Sequence, residues 1–184
     1  IMKIYDIRRK FFMSIEKVAK FYKVSFEQFL GDWQAVYPED DEIVVREIYD
    51  HIKLPKRATA GSAGYDFFLP VAITLNPDET LLIPTGIRAE IKQGWVLAIF
   101  PRSSLGFKHR IQLDNTVGII DSDYFGADNE GHIKIKITND SKDYSIADVD
   151  EGKGFAQGIF LPFGITDDDA SDGTRTGGFG STDK

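Results

Sequence analysis

From Ile43 onward the sequence is a series of short apolar runs, each ended by Gly, Pro, Asp or Asn. Within residues 132–138 apolar and polar residues alternate strictly, which is the pattern of a strand with one buried face. Residues 155–162 predict another strand. Many short strands separated by turn residues favour a mainly β fold, built as a sandwich, a jelly roll or a barrel.

The N-terminal part of the chain has a different pattern, which predicts helices. Ile15, Val18, Ala19 and Tyr22 recur at intervals of three and four residues, the spacing of an amphipathic helix. Ser14 is a suitable N-cap for that helix.

A second short helix is predicted to begin at Ser25 and to end at Gly31. Phe26 and Phe29 would lie on its apolar face. The two helices would then form a small hairpin, packed on the β part of the chain or on a neighbouring subunit.

This change of pattern divides the chain into two parts. We expect an N-terminal helical extension over residues 1–42 and a β domain over residues 43–184. The β domain ends in an acidic and then Gly-rich arm, from about residue 167 to 184, which by composition alone would be a flexible tail.

Composition excludes several classes of function. The 184 residues carry a formal net charge of −7 and contain no Cys. The acidic balance argues against broad contact with a nucleic-acid backbone, but a nucleotide pocket needs only a few cations and backbone amides. Without Cys, a disulfide framework, a Cys-ligated zinc site and a thiol nucleophile are excluded. No apolar stretch approaches the roughly 20 residues of a membrane-spanning helix, and we expect a cytoplasmic protein.

Residues 101–106 combine groups that bind phosphate. Arg102 offers a bidentate cation, and Ser103 and Ser104 offer short hydroxyl donors. The alternative is an ordinary loop or helix start with a paired arginine.

Residues 118–126 and 175–182 carry two further sets of chemical groups. Asp121 could end a strand at a pocket and act as a general base, with Tyr124 as a flat wall beside it. A simple hairpin corner would explain the same residues. The second segment combines an Arg, a Phe and two hydroxyls among glycines, a set that could close over a nucleotide.

Taken in order, five segments of this chain resemble the five motifs of the trimeric dUTP pyrophosphatase (dUTPase) family. The matching residues are 63–66, 101–105, 118–126, 152–157 and 175–182. The resemblance extends over about residues 43–184. It implies a distorted jelly-roll or barrel-like β subunit, and a homotrimer with three active sites at its subunit interfaces. The implied reaction is hydrolysis of dUTP to dUMP and pyrophosphate, which keeps uracil out of DNA and supplies dUMP.

The resemblance also implies a role for each matching residue. Asp121 would activate the water that attacks the α-phosphorus, and Tyr124 would pack on the deoxyribose and exclude a 2′-hydroxyl. Asp66 would support the phosphate region and the arm. Mg²⁺ would be held by the triphosphate and water, without direct protein ligands. The substrate-binding residues would be Arg102, Ser103, Ser104, Asn115, Gly118, Ile120, Tyr124, Gln157, Arg175, Phe179, Ser181 and Thr182.

These binding residues divide by the part of dUTP that they would contact. Asn115 and the backbone of a hairpin over residues 118–124 would pair with the uracil edge, whose donors and acceptors are reversed in cytosine. Phe179 would stack on uracil. The Arg and the two Ser side chains of residues 101–105, with Gln157, would order the phosphates. The Ser and Thr hydroxyls of the arm, with Arg175, would bind the terminal phosphates.

Two positions depart from the family pattern. Gly154 stands where the fourth motif usually has an Arg, and the neighbouring Lys153 could restore only part of that charge. In the fifth motif one residue, Thr176, separates Arg175 from the Gly-Gly pair, where the family usually has two.

Two other functions are compatible with the sequence. A nucleotide-sensing regulator could bind dUTP and engage DNA or a protein through its N-terminal helices. Residues 19–29 are similar to the second half of a helix-turn-helix, so nucleic acid would bind only through residues 14–30. The fold of dCTP deaminase is related, but that enzyme lacks this kind of Gly-rich arm.

Overall fold

The computed structural model describes residues 15–173 and Gly177. The helices are α1 (Phe26–Gln34), α2 (Glu42–His51) and α3 (Ser103–His109), and a 3₁₀ helix covers Ser122–Gly126. The strands are β1 (Ala19–Lys23), β2 (Lys56–Arg57), β3 (Tyr65–Phe68), β4 (Ile73–Leu75), β5 (Thr80–Ile91), β6 (Trp95–Pro101), β7 (Ile111–Leu113), β8 (Gly118–Ile120), β9 (Ile133–Asn139), β10 (Ala147–Val149) and β11 (Gly154–Pro162).

The strands form three antiparallel sheets. The first sheet has the order β1-β5-β9-β7, the second has the order β2-β3-β11-β6-β8, and β4 pairs with β10. Side chains from both larger sheets contribute to one hydrophobic core. The predicted mainly β fold is confirmed. Among the described residues, no helix is long and apolar enough to cross a bilayer.

The alternation of residues 132–138 produces β9 as predicted. Ile133, Ile135 and Ile137 are buried, while Lys136 on the opposite face is exposed. Full burial of one such side chain contributes roughly 1.5–3 kcal/mol. The three isoleucines therefore hold one face of this strand against the core.

The helix predicted around residues 15–22 is wrong, because residues from Ala19 onward form a strand. Phe21 of β1 lies opposite Ala89 of β5 and packs against Phe67 of the other sheet, with ring centres 5.8 Å apart. The strand covers an edge of β5 that would otherwise present unpaired N–H and C=O groups. The helix-turn-helix hypothesis is wrong for the same reason, since the first of its two helices is this strand.

The second predicted helix exists but extends beyond its predicted end. The Ser25 hydroxyl accepts the Gln28 N–H at 3.1 Å, so Ser25 is the N-cap. The helix continues through Gly31 to Gln34 because Trp33, 2% exposed, extends its apolar face. Burial of an indole outweighs the roughly 1 kcal/mol that a helical glycine costs.

A third element, α2, was not predicted as a helix. Asp41 caps it by accepting the N–H groups of Ile43 and Val44, and Val45 is buried against the rest of the chain. The predicted boundary between residues 42 and 43 falls in the first turn of this helix. The division into extension and β domain stays a prediction.

A charged cluster joins α1 to β9. Asp32 accepts hydrogen bonds from His132 Nδ1 at 2.6 Å, Lys134 Nζ at 2.9 Å and Gln28 Nε2 at 2.7 Å. The Gly86 N–H donates to His132 Nε2 at 2.8 Å, so in the neutral ring the proton resides on Nδ1. Partial burial acts to raise the pKa of Asp32, but the three hydrogen bonds outweigh it and hold that pKa well below its usual value.

Candidate functional site

Three of the predicted phosphate-binding and supporting residues lie together. Gln157 of β11 is opposite Asp66 of β3 on one side and Phe100 of β6 on the other. Arg102 follows the end of β6, and its Nε lies 3.4 Å from Asp66 Oδ1. The sheet therefore places a cation, a carboxylate and an amide side by side.

Gly154 allows the Arg102 side chain to lie close to the strand. A Cβ at position 154 would be 3.0 Å from Arg102 Nη1 and 3.3 Å from its Cζ. The Gly154 carbonyl also accepts a long hydrogen bond of 3.4 Å from Nη1. The guanidinium of the second motif thus lies over the position where the fourth motif usually carries its own Arg.

Ser103 and Ser104 begin α3 directly after Arg102, and both are exposed. Their hydroxyls therefore border the same part of the surface as the guanidinium. Short hydroxyls beside a planar cation suit phosphate oxygens. Their role in phosphate binding stays a prediction.

A second group of predicted residues lines a cavity of about 590 Å³. Asn115 lies in the turn before β8, and Gly118 and Ile120 belong to that strand. The volume is within the range of about 300–1,000 Å³ that is usual for small-molecule sites. The full lining is Leu82, Ile99, Leu113, Asp114, Asn115, Gly118, Ile120, Asn129, Lys134, Ile135 and Lys136.

Asp121 follows Ile120 and is the N-cap residue of the 3₁₀ helix. Tyr124 in that helix is 2% exposed; its hydroxyl donates to the His132 carbonyl at 2.9 Å and accepts from Asn129 Nδ2 at 2.8 Å.

The predicted hairpin over residues 118–124 is wrong. It fails because β8 pairs with β6 and then passes directly into the 3₁₀ helix.

Asp121 and Arg102 lie at opposite ends of β6 within one chain. Ile120 is opposite Leu97, so Asp121 lies beside the start of β6, whereas Arg102 follows its last residue, Pro101. At about 3.3 Å per residue the two backbones are roughly 20 Å apart. The Arg102 side chain also points across β11 towards Asp66, away from β8. One chain therefore does not bring the candidate base and this cation together.

The dUTPase family model matches residues 50–182 of this chain. The chain belongs to the dUTPase family. It is 40% identical over 144 residues to a deoxyuridine 5′-triphosphate nucleotidohydrolase of Lactococcus lactis subsp. lactis, covering 77% of this chain and 95% of the relative. It is 42% identical over 139 residues to one from Psychromonas ingrahamii, covering 71% and 87%.

Solved dUTPases share the fold. The dUTPase of Streptococcus mutans superposes with a TM-score of 0.58 at 32% identity, covering 80% of this chain and 98% of that one. A mutant dUTPase from phage phi11 of S. aureus gives the same TM-score at 19% identity and covers 85% and 98%; this likeness concerns the fold alone. The predicted dUTPase resemblance and its jelly-roll-like fold are confirmed, and neither a regulator nor dCTP deaminase is favoured.

The predicted dUTPase residues Arg175, Phe179, Ser181 and Thr182 lie outside the described residues. In the described part of the acidic stretch, residues 167–169 are exposed. Within residues 15–173, no group of three or more His, Asp or Glu could hold a metal ion.

Several cavity residues lie outside the five segments that resemble dUTPase motifs. Lys136 Nζ pairs with Asp114 Oδ2 at 3.0 Å, and Asp114 also accepts the Thr138 hydroxyl. Burial acts to raise the pKa of Asp114, but these two hydrogen bonds outweigh it and lower the pKa. The alternation of residues 132–138 could have indicated these cavity residues, because its polar side chains must lie on the face away from the core.

Proposed function

We propose that this chain hydrolyses dUTP to dUMP and pyrophosphate, with Asp121 as the general base. The observation that carries this proposal is the identity of 40% over 144 residues to a dUTP nucleotidohydrolase. The dUTPase family match over residues 50–182 includes all five matching segments. The position of Asp121 beside the lined cavity supports the assignment of the base.

In the proposed reaction the Asp121 carboxylate accepts a proton from a water molecule while the oxygen of that water attacks the α-phosphorus. The bond from that phosphorus to the bridging oxygen breaks, and pyrophosphate leaves with the electron pair. A general base must lie within about 3 Å of its water. Arg102, Ser103 and Ser104 would bind phosphate oxygens, and Gln157 would help to order them.

The cavity would hold the nucleoside. Asn115 and the backbone of Gly118 and Ile120 would face the uracil edge, and the apolar walls would contact its ring. Cytosine would leave polar groups unpaired, which costs about 1–3 kcal/mol for each buried group. Tyr124, fixed by its two hydroxyl hydrogen bonds, would pack against the deoxyribose.

The complete site would form between copies of the chain. The separation of roughly 20 Å between Asp121 and Arg102 along β6 supports a homotrimer, in which the base of one subunit meets the phosphate-binding residues of another. The arm residues Arg175, Phe179 and Ser181, with Thr182, would then cover the substrate.

Mg²⁺ would enter with the substrate. The phosphate side of the site is the group formed by Arg102, Ser103, Ser104, Gln157 and Asp66. Its guanidinium, hydroxyls and amide suit phosphate oxygens, and its one carboxylate, Asp66, is paired with Arg102. The triphosphate and water would therefore supply the metal ligands. When bound, Mg²⁺ holds the triphosphate in one conformation and spreads its charge. A related phage phi11 dUTPase is described with a structural Mg(II) ion.

The test is release of pyrophosphate by the purified protein with Mg²⁺, comparing dUTP with dCTP, dTTP and UTP. We expect strong preference for dUTP. In Asp121→Asn turnover should be abolished while dUTP binding, measured by calorimetry, persists. Undiminished turnover in this variant would remove Asp121 from the mechanism.

A further inference from the structure

Lys56 lies on the same row of the sheet as two residues of the phosphate side. It is opposite Asp66 in the pairing of β2 with β3, and Asp66 is in turn opposite Gln157 of β11. Directly opposed residues of antiparallel strands project to one face, with Cβ atoms about 4.5–5.5 Å apart. The Lys56 side chain therefore projects to the face that carries Asp66 and Gln157.

The Lys56 ammonium extends towards the position of the missing arginine. Its Nζ lies 5.9 Å from the centre of the Phe68 ring. Phe68 follows Asp66 by two residues, so it shares that face, and it is opposite Gly154. A distance of 5.9 Å is at the limit of about 6 Å for a cation–π contact, so this contact holds the ammonium only loosely.

The phosphate side needs a further positive charge. Arg102 is paired with Asp66, so these two charges largely cancel, and Gly154 adds no cation. Lys153 directly precedes Gly154 but lies before the first residue of β11, so the register of the strand does not place its side chain on this face. Lys56 is exposed, and among the ion pairs of the described residues none includes it.

We propose that Lys56 is a further phosphate-binding residue, which supplies in this chain the positive charge absent at position 154. The proposal rests on the proposed function, since the anion is the triphosphate of dUTP. The ammonium would leave the Phe68 ring and donate to a phosphate oxygen on the Asp66 side of the site.

Three variants test this role: Lys56→Ala, Lys56→Arg and Lys20→Ala. Lys20 is a matched control, because it is exposed on an edge strand of the other sheet and its Nζ lies 4.3 Å from the Tyr22 ring centre. For Lys56→Ala we expect kcat/KM for dUTP to fall about five- to tenfold, mainly through KM, the size expected for one exposed charge-assisted hydrogen bond. Lys56→Arg should stay within about twofold of the parent chain, and Lys20→Ala should not change.

Binding measurements separate a phosphate role from a structural one. Calorimetry with inorganic pyrophosphate and Mg²⁺ should show weaker binding in Lys56→Ala, while binding of deoxyuridine, which has no phosphate, should be unchanged. Unchanged pyrophosphate binding, or an equal loss of deoxyuridine binding, would overturn the proposal. Because binding is measured directly, Lys56 is tested even in a parent chain without turnover, a result that would count against the proposed function alone.

Discussion

Replacing Asp32 with Asn should destabilise the fold although it changes only one atom. The carboxylate receives three donors: His132 and Gln28 at Oδ2, and Lys134 at Oδ1. An amide has one acceptor oxygen, so in either orientation its NH₂ group must face a donor. His132 cannot relieve the conflict by moving its proton to Nε2, because that atom accepts the Gly86 N–H.

The size of the effect follows from burial. The His132 side chain is 0% exposed and that of Asp32 is 14% exposed, so water can replace little of the lost interaction. A hydrogen bond to a charged group contributes about 1.5–3 kcal/mol, and an unpaired buried donor costs about 1–3 kcal/mol. Since Lys134 can turn partly to solvent, we expect a loss of about 3 kcal/mol, or a fall in Tm of roughly 6–12 °C for a chain of this length.

The measurement is thermal unfolding at one fixed protein concentration, because any assembly makes Tm depend on concentration. Asp148→Asn is the control, because Asp148 is exposed on β10 and its carboxylate accepts the Thr74 hydroxyl at 2.7 Å. Its Tm should change by no more than about 2 °C. A fall in Asp32→Asn as small as that of the control would refute the reasoning.

The same cluster predicts a pH dependence. The pKa of Asp32 is lower in the folded chain than its usual 3.8, so the folded state binds fewer protons there than the unfolded state. Its stabilising contribution is therefore complete above about pH 5 and is lost progressively as the pH falls through 3.8 towards the lowered folded pKa. The Tm difference between the parent chain and Asp32→Asn should be constant from neutral pH to about pH 5 and shrink in stronger acid.

Three further substitutions have definite expected outcomes. Phe21→Ala should lower the free energy of unfolding in urea by about 3 kcal/mol, because it leaves a cavity in the aromatic cluster under β1. In Gly64→Ala the new Cβ would lie 2.7 Å from Gln157 Oε1, so the amide must move; steady-state assays should show slower dUTP hydrolysis, and Tm should change little. Arg110→Gly removes a left-handed residue (φ 51°) that costs about 1 kcal/mol but loses an exposed ion pair with Asp140, and its Tm should be equal or slightly higher.

The sequence predicted those features that depend on local pattern or on a linear series of motifs. The alternation around Ile135 predicted β9, and Ser25 marked the start of α1. Periodicity failed at β1 because its partner, β5, lies far along the chain, and pairing with a distant edge overrides a local spacing. His132 shows the same limit: the alternation places it on the polar face, yet Phe29 and Asp32 of α1 pack against its ring and the side chain is fully buried.

The candidate site was predicted residue by residue but not as an arrangement. The order of the motifs places Arg102 before Asp121, but it does not reveal that both flank one strand and lie at its two ends. It also gave no reason to consider Lys56, which belongs to none of the matching segments. That residue becomes relevant only through its pairing opposite Asp66.

The pairing of β1 with β5 also determines when the N-terminal strand can form during synthesis. Lys23 leaves the ribosome about 68 residues before Ile91, the far end of its partner strand. At about 5–20 residues per second, this is a delay of roughly 3–14 s. During that interval Phe21 and Val24 are without the core that later buries them. Residues 15–22, whose spacing also suits a helix, can adopt that helix transiently until the nascent chain supplies the edge of β5.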